Sequence, residues 1–160
     1  MTKEAFARAV DRNNRRVYLL ALSFTRRHQD AEDVLQSVFL KLWEKGGHFE
    51  SDEHTDRWLT TVCINECRNL LRRPHRKRET VLDECDKLYA FDKPQSLDLF
   101  RAVMSLPEKE RVTVHLFYYE DMSTSQIAEM LKVSESAVKT RLHRARAKIK
   151  EILGEEWIND

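Results

Sequence analysis

The sequence predicts an all-α protein of two small helical domains, an amino-terminal helical bundle and a carboxyl-terminal four-helix domain with a helix-turn-helix, joined by a flexible linker. Residues for tight turns are scarce, because only three glycines and three prolines occur among 160 residues. Apolar residues recur at steps of three and four along most of the chain, as in amphipathic helices. This periodicity fades over residues 79–95, where a proline appears, which predicts a linker between domains at 1–78 and 96–160.

The first part of the chain predicts two helices. Residues 3–27 carry apolar side chains at helical spacing, which predicts one long helix or two short ones. Asp30 is predicted to cap a helix over residues 31–45, since acids crowd its first turn and two glycines end it. Apolar residues surround most of this helix, so it is either central in the bundle or docked to a partner. Periodicity alone favours the central position, although the acidic end would also suit an exposed docking edge.

A polar, mostly acidic loop over residues 49–56 is predicted to lead into a third helix over about residues 55–73. One face of this helix is apolar and includes Cys63 and Cys67. The other face carries a polar stripe of Thr61, Asn65, Arg68 and Arg72, flanked by Trp58 and Asn69. Such groups can stack on unpaired bases and read them, but an ordinary solvated face with a core tryptophan explains the pattern equally well.

The carboxyl-terminal half predicts two short helices followed by a helix-turn-helix. The short helices cover residues 96–106 and 108–119, the second one opening after a proline. Ser123 and Gln126 have the spacing of a capping box, which marks the start of a third helix. Ser134 is predicted to cap the fourth helix. The side chains predicted to form its buried stripe are Val138, Leu142, Ala145 and Ile149.

The exposed side of the fourth helix is strongly basic. Between Lys132 and Lys150 the only acid is Glu135, whereas ordinary surface helices mix both signs of charge. An α-helix fits the DNA major groove, where arginine can pair with a guanine edge and lysine can neutralise phosphates. We therefore interpret this side as a nucleic-acid surface rather than a solvated one.

Charge distribution and composition indicate which kind of protein this is and where it acts. The net charge is only +1, but positive and negative residues are separated along the chain. Basic clusters lie at residues 68–78 and 139–150, and residues 79–98 are mainly acidic. The longest apolar run is far too short to cross a bilayer, and no signal-peptide core opens the chain. We therefore expect a cytoplasmic protein without membrane insertion. Three cysteines without a CxxC pair argue against a disulfide framework.

The cysteines raise two alternatives. Cys63 and Cys67, one helical turn apart, could start a metal site, but no matching histidine or cysteine pair is nearby. Cys63 with His54 or His75 could suggest a thiol nucleophile, but no third group is placed to orient them. We therefore expect no catalytic residue, no metal site and no cofactor.

Four motifs stand in order along the chain: DAEDVLQSVFLKLW at residues 30–43, Trp58-Leu59 with Asn65 and Leu71-Arg-Arg73, Leu106-Pro-Glu-Lys-Glu-Arg111, and the helix-turn-helix at 123–150. Together they resemble the sigma factors of bacterial RNA polymerase, specifically the short extracytoplasmic-function (ECF) group of the sigma-70 family. A helix-turn-helix alone would be weak support, but four motifs in family order around a linker are specific. The resemblance implies a protein without catalysis that binds core RNA polymerase and promoter DNA, both duplex and melted, and that an anti-sigma factor holds inactive.

The resemblance also implies roles for individual residues. The helix at Asp30 would bind the polymerase clamp helices, which reverses the central-helix interpretation, and the loop at 49–56 would capture a flipped base. The positions carried over for core polymerase are Asp30, Glu32, Asp33, Leu35, Gln36 and Phe39. Those for the melted minus-ten element are Phe49, Trp58, Asn65, Arg68, Asn69, Arg72 and Arg73. Those for the minus-thirty-five duplex are Lys139, Thr140, Arg141, His143 and Arg144.

The chain departs from the family pattern in the turn of the helix-turn-helix and in the loop. Lys132 stands where the family often has glycine, so a positive φ there would cost roughly 1–2 kcal/mol. The acidic make-up of the loop at 49–56 leaves the identity of the captured base open. The alternative function is a stand-alone helix-turn-helix regulator that dimerises through its amino-terminal half.

Overall fold

The computed structural model describes residues 1–73 and 97–154, and every regular element in these two ranges is an α-helix. Contacts divide the chain into two compact units, Met1–Thr80 and Val81–Asp160. The all-α prediction is therefore confirmed. The predicted linker at residues 79–95 lies outside the described residues, as does His75. No described helix combines the length and apolar character needed to cross a membrane.

Over residues 1–73 the amino-terminal unit is a bundle of three helices. They are α1 (Lys3–Thr25), α2 (His28–Lys45) and α3 (Asp52–Leu71). Each helix packs against both of the others. Val17 of α1, Leu42 of α2 and Leu59 of α3 are fully buried between them. Since burying each such side chain contributes about 1.5–3 kcal/mol, this shared apolar interior holds the bundle together.

The turn between α1 and α2 differs from the prediction. The first helix is single, and Arg26 ends it in the left-handed conformation at φ 58°. The second begins at His28, so the prediction that Asp30 caps it is wrong. Arg27 holds the cap position without a side-chain cap. The Tyr18 hydroxyl lies 2.8 Å from His28 Nδ1, and this contact links the two helices just ahead of Asp30.

The loop before α3 is shorter than predicted, because α3 begins at Asp52 and not near Thr55. Ser51 Oγ accepts a hydrogen bond from the His54 backbone N–H at 3.1 Å and so caps the helix. Asp52 and Glu53 then lie in the first turn, where the helix dipole favours acids. A serine followed by two acids was the signal that the sequence offered for this start. At the other end of the loop Gly46, at φ 74°, ends α2 as predicted.

The described part of the carboxyl-terminal unit, residues 97–154, contains four helices, the number predicted. They are α4 (Leu97–Met104), α5 (Glu108–Tyr118), α6 (Thr124–Leu131) and α7 (Glu135–Leu153). The last of them contacts the other three. All four residues of its predicted stripe are buried, namely Val138, Leu142, Ala145 and Ile149. The opposite side of α7 is left for other contacts.

Lys132, in the turn between α6 and α7, is a site of backbone strain. Its φ is 59°, a left-handed conformation that favours glycine. We expect Lys132→Gly to stabilise the protein by about 1 kcal/mol, measured by thermal unfolding of the purified protein. Lys139→Gly, inside α7, is the control and should destabilise by about 1 kcal/mol. Equal effects of the two changes would contradict the explanation.

Candidate nucleic-acid interface

Both helices of the helix-turn-helix have side-chain caps at their amino-terminal ends. Ser123 and Gln126 form the predicted capping box, with hydrogen bonds of 3.1 and 2.9 Å in the two directions. Ser134 Oγ accepts the backbone N–H three residues on at 3.0 Å, so the predicted cap of α7 is confirmed. Thr124 Oγ1 donates to Glu135 Oε1 at 2.8 Å and ties α6 to the start of α7. The first turn of α7 is thus held in a fixed position against α6.

The basic side of α7 is available to a ligand. Of the residues predicted to read duplex DNA, Lys139, Thr140, His143 and Arg144 are exposed and Arg141 is half-buried. Lys139 Nζ lies 3.8 Å from a Glu135 carboxylate oxygen. Within residues 1–73 and 97–154, no hydrogen bond or ion pair is formed by the His143 and Arg144 side chains. Their donors are therefore free to bind base edges or phosphates.

Arg146 lies on the same flank as Lys139 but is held by another helix. Its Nε donates to the Tyr118 hydroxyl at 2.8 Å. Its guanidinium also lies 5.7 Å from the ring centroids of both Phe117 and Tyr118, a cation–π arrangement. These contacts with the end of α5 give this one arginine of the flank a defined position.

An aromatic cluster forms where the loop meets α3. The Phe49 ring packs edge-on against Trp58 and His54, with centroid distances of 5.6 and 5.3 Å. Lys45 Nζ lies 5.7 Å from the Phe49 centroid and 5.4 Å from that of Trp58. Lys45 was missed in the sequence, where its only signal is its place just before the glycine that ends α2. Rings together with an ammonium group suit an unpaired, negatively charged strand.

The polar stripe of α3 continues along the helix from Trp58 of this cluster. Asn65, Asn69, Arg72 and Arg73 are exposed, and Arg68 and Trp58 are half-buried. The Asn65 and Asn69 amides have no hydrogen-bond partner in the part of the chain that the structure describes. Trp58 packs on the loop and is partly exposed, so the interpretation as a core tryptophan is wrong.

A groove of about 380 Å³ separates α2 from α3 and brings two predicted surfaces together. Asp33 and Gln36, predicted to bind polymerase, line one side of it. Asn69 and Arg73, predicted to contact the minus-ten element, line the other. The two predicted surfaces therefore adjoin and share this groove.

The remaining predicted polymerase residues divide by burial. Asp30 and Glu32 are partly exposed, whereas Leu35 and Phe39 are 9% and 8% exposed. The last two do not belong to the exposed surface, because they pack into the bundle. The residues of α2 that are both apolar and exposed are Leu40 and Trp43, at 57% and 45%. The helix thus contributes to the core by one side and presents apolar and acidic groups on the other.

An ion pair joins α1 to the start of α3. Arg12 Nη2 donates to Asp56 Oδ1 at 2.9 Å, and Arg12 Nη1 lies 3.5 Å from an Asp52 carboxylate oxygen. Burial alone would raise the pKa of the Asp56 carboxyl. Hydrogen bonds from Arg12 and Asn13, with the charges of Arg12 and Arg16, outweigh burial and hold that pKa below its usual range.

We expect this pair to make the protein sensitive to acid. Because the pKa of Asp56 is lower in the folded state than in the unfolded state, its stabilisation is complete above the unfolded-state value, about 3.9, and is lost as the pH falls through the folded value. Asp56→Asn should therefore reduce the loss of stability below about pH 4, measured by urea unfolding across a pH series. Asp11→Asn, at an exposed position of α1, should leave that loss unchanged.

Cys63 and Cys67 are both fully buried. Nine residues separate His54 from Cys63, which places them on opposite sides of α3 at about 100° per residue. This placement argues against joint catalysis by the two. Residues 1–73 and 97–154 hold no cluster of three or more metal-ligating side chains.

A capped helix-turn-helix with a basic, exposed second helix is the mark of a DNA-binding protein. The sequence also matches two family models, Sigma-70 region 2 over residues 9–78 and Sigma-70 region 4 over residues 96–149. SigM of Mycobacterium tuberculosis, an ECF RNA polymerase sigma factor, is 32% identical over 154 residues, which cover 94% of this chain and 78% of SigM. The chain therefore belongs to the ECF sigma factors of bacterial RNA polymerase.

Other relatives agree with this assignment. SigW of Bacillus subtilis, also an ECF sigma factor, is 25% identical and is matched over 94% of this chain and 90% of its own. The sigma factor RpoE of Bartonella quintana, solved in complex with the anti-sigma factor NepR, has the same fold, with a TM-score of 0.68 at 20% identity over 94% of this chain and 97% of RpoE. CnrH, solved with the cytosolic domain of CnrY, gives a TM-score of 0.64 at 26% identity over 95% and 89% of the two chains. The protein directs RNA polymerase to promoters, and nothing in these relatives favours a stand-alone regulator.

Proposed function

We propose that the two units divide promoter recognition between them. The domain at residues 1–78 binds core polymerase through the exposed groups of α2 and binds the melted minus-ten element through the loop and α3. The domain at 96–160 reads the minus-thirty-five element as duplex through α7. Residues 79–95 join the two domains. The protein contributes no catalysis and acts in the cytoplasm.

One observation carries this proposal: within the described part of each unit, side chains able to pair with bases are exposed and form no hydrogen bond. In the first unit Asn65 and Asn69 are exposed on α3, about two and three turns along the helix from Trp58 of the ring cluster. Melted strands expose base faces and edges, which rings can stack on and amides can pair with. Arg144 lies on the basic side of a helix in the second unit, and a helix of this kind fits the major groove of intact duplex.

An anti-sigma factor belongs to the same proposal. The Bartonella quintana relative was solved with one, and CnrH was solved with part of CnrY. We expect such a partner to cover the exposed apolar residues Leu40 and Trp43 of α2 and so to compete with core polymerase. The competition follows because both partners would need the same exposed side of one helix.

Transcription in vitro tests the division directly. Core polymerase with this protein should start RNA chains on a subset of a genomic promoter library, and the selected templates should share two sequence elements. A single shared element, or a protein that binds an operator as a dimer and ignores core polymerase, would contradict the proposal.

A further inference from the structure

Polar residues on one side of α1 are bonded to the first three turns of α3. Asn13 Nδ2 donates to Asp56 Oδ1 at 2.9 Å, and also to a carbonyl one turn back on its own helix. Arg16 Nη1 donates to Thr60 Oγ1 at 2.7 Å. With the pair between Arg12 and Asp56 described above, three side chains within five residues of α1 are bonded to α3. They leave the first turns of that helix little freedom to shift.

This network has one arrangement because its central amide is buried. Asn13 is fully buried, and its Oδ1 accepts from Arg16 Nε and Nη2 at 3.0 and 2.7 Å. Arg16 Nη2 also donates to the Asp56 backbone carbonyl at 2.9 Å. A buried amide satisfied at both ends cannot turn without losing hydrogen bonds that no water replaces.

The loop is bonded in turn to the helix start that the network holds. The Glu50 backbone N–H donates to His54 Nδ1 at 3.2 Å, and Thr55 Oγ1 donates to the Ser51 carbonyl at 3.2 Å. Phe49 packs edge-on against the His54 ring. The position of Phe49 therefore depends on the first turn of α3, and this turn depends on α1.

We propose that Arg12, Asn13 and Arg16 form a clamp that positions the loop at residues 49–51 for the melted minus-ten strand. These are positioning residues, since they act through Asp56 and need not touch DNA. The proposal rests on the proposed function of the loop. A loop fixed before binding avoids the cost of being ordered on the strand, and it presents its groups to one base arrangement rather than to several. The clamp thus supports selectivity among bases as well as the rate of opening.

Arg12→Gln, which keeps most of the side-chain stem, tests the clamp. The measurement is the rate of open-complex formation by the holoenzyme, followed with a fluorescent base analogue, on templates that differ by one base in the minus-ten element. We expect a decrease of about tenfold on the preferred template and a weaker preference among templates. Asp56→Asn should act similarly, and the double variant should be no worse than either single one. The matched control is Arg8→Gln, one turn earlier and exposed, which should stay within about twofold.

The outcomes separate a clamp from a general loss of folding. A variant that is merely less folded slows all templates by the same factor, so an unchanged preference would overturn the proposal. So would equal effects of Arg12→Gln and Arg8→Gln, or additive effects of Arg12→Gln and Asp56→Asn. If circular dichroism shows that Arg12→Gln is unfolded, Arg12→Lys is measured in its place. Lysine keeps the positive charge but lacks the two parallel donors of the guanidinium, so this variant should still weaken the preference among templates. A wild-type holoenzyme without any minus-ten preference would refute the proposed function itself, whereas a preference that the variants retain refutes the clamp alone.

Discussion

Replacing Arg144 with alanine should weaken binding to the minus-thirty-five duplex by about 1–3 kcal/mol and relax the preference at one base position. The guanidinium is exposed on α7 and has no partner in the described ranges, 1–73 and 97–154, so its donors are available to a guanine edge. The test is a titration of the protein with duplexes that carry every single substitution in the element. The salt concentration must be held constant, because phosphate contacts make affinity depend steeply on salt.

Lys109→Ala provides the control for charge, because Lys109 is an exposed cation of the same unit that lies on α5. Its removal should change affinity little and leave the base preference intact. If Arg144→Ala weakens every duplex by the same factor, Arg144 contacts a phosphate and does not read a base. A loss no larger than that of Lys109→Ala would remove Arg144 from the interface altogether.

Asn65→Ala should slow open-complex formation by about tenfold and leave duplex binding nearly unchanged. The amide lies on the exposed polar stripe of α3 and has no partner within the described residues, so it can pair with the edge of an unstacked base. Such an edge exists only after melting, and the change should therefore act on opening and not on the first encounter. Fluorescence from a base analogue in the melted element measures opening, and filter binding of the closed complex measures the encounter.

Asn14→Ala is the matched control, since Asn14 is an exposed asparagine of the same unit on α1. It should leave both measurements unchanged. If Asn65→Ala impairs duplex binding and opening equally, the stripe of α3 does not discriminate melted from paired DNA.

Local signals were enough to predict the carboxyl-terminal unit. The capping box at Ser123, the cap at Ser134 and the buried stripe of α7 follow from spacing within a few residues, and the structure contains each of them. The start of α2 could not be obtained in the same way. At this start Tyr18 of α1 contacts His28 of α2, and spacing within one helix does not predict a contact between side chains of two helices.

For the candidate site too, the sequence-based prediction fails where contacts between different helices decide the outcome. An apolar pattern around most of α2 does not say which residues face the bundle, so Leu35 and Phe39 could be assigned to a surface although they are buried. The bonds from Arg12 and Arg16 to α3 join residues 40 to 44 positions apart, and periodicity within one helix carries no trace of them. Resemblance named the loop as a functional element, but only the packing of α1 reveals what holds it.

The burial of both thiols in the amino-terminal unit has a practical consequence. Cys63 and Cys67 have no exposed surface, and maleimide dyes react with thiols that solvent can reach. A variant such as Asn14→Cys would thus present the one accessible thiol within residues 1–73, where only these two native cysteines occur, and Cys85, outside the described residues, would be replaced by serine. In that variant a fluorophore can be attached to this unit while both buried thiols stay in place, so labelling need not disturb the packing that keeps the bundle intact.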